Sequence, residues 1–258
     1  MLRWTVLGSG SEGNALVIES QRGRFATRLL IDNGLGPRVL ARRLTRAGLT
    51  LDAIDAVFVT HEHSDHVGGV AALLQRRPMP LLCSAGTLQA AGLEQAAPCW
   101  QPARCGELLA IGELQLLPFS VPHDAAEPLQ LVVSDGDRRF GLLTDIGTPT
   151  EPVARVLDGV HALQLECNHD AALLMAGPYP PFLKRRIAGD RGHLSNAQAA
   201  DLLSMIDRSG LHTVAAAHLS RTNNNADLAR RSILAVLSAQ PVRVEVADAA
   251  EGLDWIEV

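Results

Sequence analysis

The sequence predicts a single α/β domain spanning residues 1–258. Three observations predict it. Short β-like runs alternate with stretches of helical spacing along the whole chain. Of the 258 residues, 47% are hydrophobic, enough for one large core. No linker, low-complexity tract or internal repeat divides the chain, so two βαβ-type halves within one domain fit best. Aromatic residues make up only 3%, so that core has to be built from Leu, Val, Ile and Ala.

The elements follow in order. "LRWTVLG", "ALVIES" and "RLLIDNG" read as three successive strands, and "GPRVLARRLTRAGL" has helical spacing with a Gly stop. "AVFVT" is a buried strand that delivers a His-rich loop, after which "VGGVAALLQRR" starts a helix. "ELLAIGELQLLPFSV" and "LQLVVSDGDRRFGLLTD" fill the middle. In the second, Asp135-Gly136 between two β-like runs signals a hairpin. Then come "HALQLE", a helix after Asn168, a helix after Ser195, the strand "TVAAAH" and a helix from Ala226 to Ser238. "VRVEVADAAEGLDWIEV" is expected to close the chain as a strand pair.

Composition narrows the function. The formal net charge is -5, and Lys184 is the one lysine, so no global basic field draws in nucleic acid and any phosphate contact has to be local. The N-terminus shows no signal peptide, and no apolar run approaches the ~20 residues of a membrane span. Cys83, Cys99, Cys105 and Cys167 show no C-x-x-C spacing, as expected of reduced thiols in a cytoplasmic protein.

The stretch "VFVTHEHSDHVGG" carries the chemistry. His61, His63, Asp65 and His66 fall within six residues. His61 and His63 stand at i and i+2, so both project from one side of an extended segment, while Asp65 and His66 follow as the chain turns into the helix and can face a second ion. A polar loop rich in histidine is the bland alternative, but a chance H-x-H-x-D-H run is expected in roughly one chain in a thousand.

This pattern after a buried strand closely resembles the hallmark of the metallo-β-lactamase fold superfamily. "FSVPHDA", "GLLTDIG" and "TVAAAHLS" supply the further His123, Asp145 and His218, each at a strand end. The resemblance implies a four-layer αβ/βα sandwich with a dinuclear site at one edge. His61, His63 and His123 would hold one ion and Asp65, His66 and His218 the other, with Asp145 bridging. Two divalent ions per chain are implied. Imidazole-rich ligation suits zinc, and manganese or iron also fits a mixed His/Asp set. Metal-assisted hydrolysis is the expected chemistry. A Glu at the second position would mark the diiron oxygen reductases, and His63 stands there instead.

In RNase Z-like phosphodiesterases a strand-end Glu pairs with a His in a G-H-S-T segment for proton transfer. "ALQLE" ends at Glu166 and "GHLS" contains His193, in the same order, so Asp65, Glu166 and His193 form the expected catalytic set. Finer features resemble the bacterial YycJ/WalJ branch, whose members are regarded as 5′-to-3′ DNA exonucleases: "LGSGSEGNALVIE", "ECNHDAALLMAGPYPPFLKRRIAGDRGHLSN" and "HLSRTNNN". Within these stretches, Asn14, Asn168 and His169 are expected to contact substrate. So are the basic Lys184, Arg185, Arg186 and Arg221, with Arg191 close by; such side chains position a nucleic-acid backbone without reading sequence. Glu12 departs from the Ser expected in the opening loop. No insertion of β-CASP size lies between Asp145 and His218. DNA ends are therefore the expected partner, with no membrane. A glyoxalase II-like thioesterase or cyclic-phosphate diesterase is the alternative enzyme, and a non-catalytic metal-binding regulator the alternative outside catalysis.

Overall fold

The computed structural model describes residues 1–237 and 241–258. The chain opens with the meander β1 (Leu2–Gly8), β2 (Ala15–Arg22) and β3 (Phe25–Ile31), followed by α1 (Pro37–Arg46) and β4 (Ala56–Phe58). The first half is completed by α2 (Ser64–Val67), α3 (Val70–Arg76), β5 (Leu81–Cys83), α4 (Ala85–Ala90) and β6 (Trp100–Pro102). The second half runs β7 (Leu109–Ile111), β8 (Leu114–Ser120), β9 (Leu129–Ser134), β10 (Arg139–Leu143), α5 (Glu151–Leu157) and β11 (Ala162–Glu166). It continues with α6 (Ala171–Ala176), α7 (Pro181–Ile187), α8 (Asn196–Met205), β12 (Thr213–Ala217), α9 (Ala226–Leu237), β13 (Arg243–Val246) and β14 (Leu253–Glu257).

Two seven-stranded sheets result, ordered β14-β1-β2-β3-β4-β5-β6 and β13-β12-β11-β10-β9-β8-β7. Their facing sides share one core, where Trp4 from the first sheet packs on Phe140 from the second with ring centroids 4.9 Å apart. On the outer face of the first sheet, Val17, Leu30, Val57 and Leu81 bury Leu40, Leu44 and Leu73 of α1 and α3. On the outer face of the second, Leu163, Leu165 and Val214 bury Leu157, Leu202 and Ile233 of α5, α8 and α9. Central strands are buried on both faces, which is why "ALQLE" and "TVAAA" read as continuous runs without alternation. This is the four-layer αβ/βα sandwich expected. No helix among the described residues is long and apolar enough to cross a membrane.

Local chemistry explains most boundaries. Pro37 opens α1, and Gly48, at φ +72, follows its end. Ser195 and Gln198 form a reciprocal capping box at the start of α8. At the β9–β10 hairpin, Gly136 sits at φ +97 and Asp135 accepts from the backbone N–H of Asp137 and Arg138.

Three expectations need correction. The helix at "VGGVAALLQRR" is broken at Gly68-Gly69, and the preceding turn is already helical, so Asp65 and His66 lie on α2. The break lets loops pack: a Cβ on Gly69 would sit 2.1 Å from the Leu35 carbonyl oxygen. The closing strand pair does not form. Strand β13 runs parallel to β12 in the second sheet, while β14 pairs antiparallel with β1 in the first. The runs β5 and β6 and the helices α4 and α7 were not expected as separate elements. Ser238, at the expected end of α9, lies outside the described residues.

Candidate metal centre

Strands of both sheets end at one edge, and each delivers a polar residue just past its last apolar one. β4 leads to His61, β8 to His123, β10 to Asp145 and β12 to His218, while β11 ends on Glu166 itself. Asp32, Asp145 and His218 have φ of 58°, 53° and 55°. Non-glycine residues seldom adopt this left-handed conformation, and such strain concentrates at functional sites.

The expected donors converge. Donor atoms of His61, His63 and His123 lie within 4.8 Å of one another, as do those of Asp65, His66 and His218. Asp145 belongs to two further such groups, one with His61 and His66 and one with Glu166, His193 and His218, so its carboxylate reaches both donor sets and the Glu166–His193 pair. Its Oδ2 is 2.9 Å from His66 Nε2, and its Oδ1 is 3.1 Å from His218 Nδ1 and 4.0 Å from His123 Nε2.

The donor chemistry fits divalent cations. His61 Nε2 lies 3.1 Å from His63 Nδ1, which lies 3.3 Å from His123 Nε2, so three imidazole nitrogens face one another. Asp145 Oδ2 and His218 Nδ1, both buried, make no well-directed hydrogen bond despite their close neighbours. Burial pushes the His61 and His123 imidazoles down, which keeps them neutral and able to donate a lone pair. Burial pushes Asp145 and Asp65 up, but His218 and His66 outweigh it, holding Asp145 well below the usual range and Asp65 down to about 2. Burial likewise disfavours charge on His66, yet Asp145 and Asp32 raise it to about 10. The carboxylates thus draw protons toward His66 and His218, supplying positive charge that a bound cation would supply in their place.

Groups behind the donors fix their orientation. His123 Nδ1 donates to the Gly192 carbonyl at 3.1 Å, which turns Nε2 toward the centre. Asp32 Oδ2 lies 2.7 Å from His66 Nδ1 and accepts from Thr60 Oγ1 at 2.9 Å, while Thr60 Oγ1 lies 3.0 Å from His61 Nδ1. Asp32 and Thr60 were not singled out from sequence; the one available signal is that Asp32, like the donors, is a polar residue ending a strand run. Partners of this kind govern ligand basicity and ring orientation.

Glu166 and His193 form the expected pair. Glu166 Oε1 is 2.7 Å from His193 Nδ1, and Oε2 accepts from the backbone N–H of Ile146 and Leu194. Burial raises Glu166, but His193 overrides it and holds the carboxyl at about 2. Burial lowers His193, but the Glu166 carboxylate overrides it and raises the imidazole above its ordinary value. A buried anion therefore favours the protonated form of a ring that lines the cleft.

Residues 27–217 match the Beta-lactamase superfamily domain. The chain belongs to the β-lactamase superfamily. It is 34% identical over 239 residues to the exodeoxyribonuclease YycJ of Bacillus anthracis, covering 92% of this chain and 89% of that protein. It is 31% identical over 251 residues to the exodeoxyribonuclease WalJ of Streptococcus pneumoniae serotype 2, covering 95% and 91%. Among solved structures, the metallo-β-lactamase fold protein YhfI from Bacillus subtilis superposes with a TM-score of 0.77 at 17% identity, covering 100% of this chain and 99% of that one.

In this β-lactamase superfamily member the expected substrate residues divide into two groups. Asn14, Asn168 and His169, expected to contact substrate, are buried at 8%, 6% and 2% exposure. Asn14 Nδ2 lies 3.2 Å from Asp65 Oδ2 while its Oδ1 accepts from Gly10, and Asn168 Nδ2 donates to the His218 carbonyl. The His169 carbonyl accepts from Asn196 at the start of α8. These residues hold the donor-bearing loops. The basic residues lie at the surface, though several are already paired. Arg186 lines the cleft and binds Asp124 at 2.6 Å, and Asp124 in turn approaches His123 Nε2 at 3.5 Å. Lys184 donates to the Met175 carbonyl, Arg221 pairs with Glu12, and Arg185 and Arg191 border the outer rim.

Proposed function

We propose that this protein is a metal-dependent exodeoxyribonuclease that removes nucleotides from DNA in the 5′-to-3′ direction. It is a metal-dependent hydrolase of the β-lactamase superfamily, and its alignment with two exodeoxyribonucleases over 92% and 95% of the chain favours a nucleic-acid substrate. The observation that carries the reading is the Glu166–His193 pair at 2.7 Å, set in the cleft wall beside the seven donor residues.

His61, His63 and His123 would hold one divalent ion and Asp65, His66 and His218 a second, with Asp145 between; the imidazole-rich set favours zinc over manganese or iron. When bound, such ions make a water nucleophile available at neutral pH and neutralise charge on the phosphate. His193 presents a proton from the cleft wall to the departing alkoxide, a poor leaving group without one. Glu166 keeps that ring cationic and fixes its orientation. Arg185 and Arg186 hold the backbone phosphates, with Arg186 exchanging Asp124 for phosphate. The four cysteines are all free thiols, in keeping with a cytoplasmic protein.

The test uses metal-reconstituted protein on end-labelled single- and double-stranded DNA and RNA. Stepwise loss of nucleotides from the 5′ end of DNA is expected. Cleavage of RNA alone, or turnover of a thioester without any diester hydrolysis, contradicts the proposal.

A further inference from the structure

We infer that the metal cleft opens into a second subsite that takes the nucleotide next to the scissile bond, with Tyr179 as its stacking wall. The inference rests on the nuclease reading above. The cleft has a volume of about 360 Å³ and is lined by donor residues, His193 and Tyr179. Beside it lies a cavity of about 210 Å³, bounded by the loop around Ser9–Glu12 and the loop around Leu219–Thr222. Ser11 and Tyr179 line both spaces, so the two cavities adjoin at these residues.

The sequence uses aromatics sparingly, and Tyr179 is its one tyrosine. Trp4, Phe58 and Phe140 are spent on the core. Tyr179 stands half-exposed at the cleft, between Pro178 and Pro180. Proline on both sides restricts the backbone that carries the ring. A base has a flat apolar face that such a ring accepts whatever the sequence, and stacking of this kind changes affinity by on the order of 10-fold per base.

The second cavity also holds a phosphate partner. Arg221 pairs with Glu12 across its rim, between loops 209 positions apart in sequence. Both side chains are more than half exposed, at 56% and 71%. An ion pair that open to water is weak and exchanges readily. A nucleotide phosphate entering the cavity takes the place of the Glu12 carboxylate on Arg221. The departure at Glu12 thereby acquires a role: it occupies Arg221 until a phosphate arrives.

Three measurements test the inference, with wild type, Tyr179→Ala and Tyr179→Phe. The first compares KM on an oligonucleotide with kinetics on bis-p-nitrophenyl phosphate, which has no neighbouring base. Tyr179→Ala is expected to raise the oligonucleotide KM by on the order of 10-fold and Tyr179→Phe to restore it, with the small diester unaffected by either. The second uses an oligonucleotide abasic at the neighbouring position, on which wild type and Tyr179→Ala are expected to be equal. The third follows 2-aminopurine at that position on binding in a His193→Ala background. Its fluorescence is expected to be quenched unless Tyr179 is also replaced. If Tyr179→Ala matches wild type on DNA, or slows DNA and the small diester equally, the subsite assignment is overturned while the nuclease reading stands. If wild type hydrolyses the small diester but no oligonucleotide, the nuclease reading fails and the subsite with it.

Discussion

Glu166 Oε1 lies 2.7 Å from His193 Nδ1 and 3.4 Å from His218 Nδ1, so one buried carboxylate contacts both histidines. In the proposed mechanism that arrangement assigns cation binding to His218 and proton delivery to His193. His193 is only partly exposed, with its ring held toward Asp145 Oδ1 at 3.3 Å.

Replacing His193 with Ala is expected to leave metal content and DNA affinity intact and to lower turnover on DNA by about 10²–10⁴-fold. The loss is expected to shrink sharply on bis-p-nitrophenyl phosphate, whose leaving group needs no proton. An emptied metal site in this variant, or equal slowing of both substrates, makes His193 a ligand or a structural residue.

Asp145 and Asp32 are both buried strand-end carboxylates, yet they are expected to fail differently. Asp145 reaches both donor sets, so Asp145→Ala is expected to lose bound metal and abolish hydrolysis. Asp32 touches His66 and Thr60 rather than the centre, so Asp32→Ala is expected to weaken metal affinity by about 10–100-fold, with activity recovered at high metal concentration. Metal titration followed by activity distinguishes them, and an Asp145→Ala protein that keeps two tightly bound ions refutes the donor assignment.

Removing Arg185 and Arg186 together is expected to raise KM on DNA more than it lowers turnover on a small diester. The two side chains border the cleft and its rim without entering the donor set. Equal effects on both substrates point instead to the Arg186–Asp124 pair as a fold-stabilising contact.

Thiol reactivity checks the burial at the ends of β5 and β11. Burial pushes the Cys83 thiol up to about 12, and burial together with the Glu166 charge raises Cys167 as well, so neither forms thiolate near neutral pH. At pH 8, Cys99 and Cys105, both exposed, are expected to react with a disulfide reagent in the folded protein, and Cys83 and Cys167 only after unfolding. Rapid reaction of Cys167 in the native state contradicts the packing beneath Glu166.

His61, His63, Asp65 and His66 were legible from their crowding in one short run, and His123, Asp145 and His218 because each is a polar residue placed where an apolar strand stops, as in "FGLLT" before Asp145 and "TVAAA" before His218. Glu166 was legible as the end of a strand run, while its pairing with His193 came from the resemblance of "ALQLE" and "GHLS" to RNase Z-like phosphodiesterases. What escaped depends on contacts between distant segments. Asp32 meets His66 across 34 positions, and its left-handed backbone leaves no mark in a periodic pattern. Asn14 looks like a loop residue open to substrate until β1 and β2 bring it against Asp65. The last two strands share one sequence style, yet β13 is drawn to the second sheet and β14 to the first. Gly252 at φ +65 lets the turn between them pass close to Val6, where a Cβ would lie 1.9 Å from the carbonyl oxygen.

The central claim is that this donor set drives DNA hydrolysis through two bound ions. The most direct measurement titrates a divalent metal into stripped protein while following release of nucleotides from 5′-end-labelled DNA. Activity is expected to be absent without metal and to saturate near about two ions per chain. Full cleavage by the stripped protein, or no cleavage once both sites are filled, contradicts it.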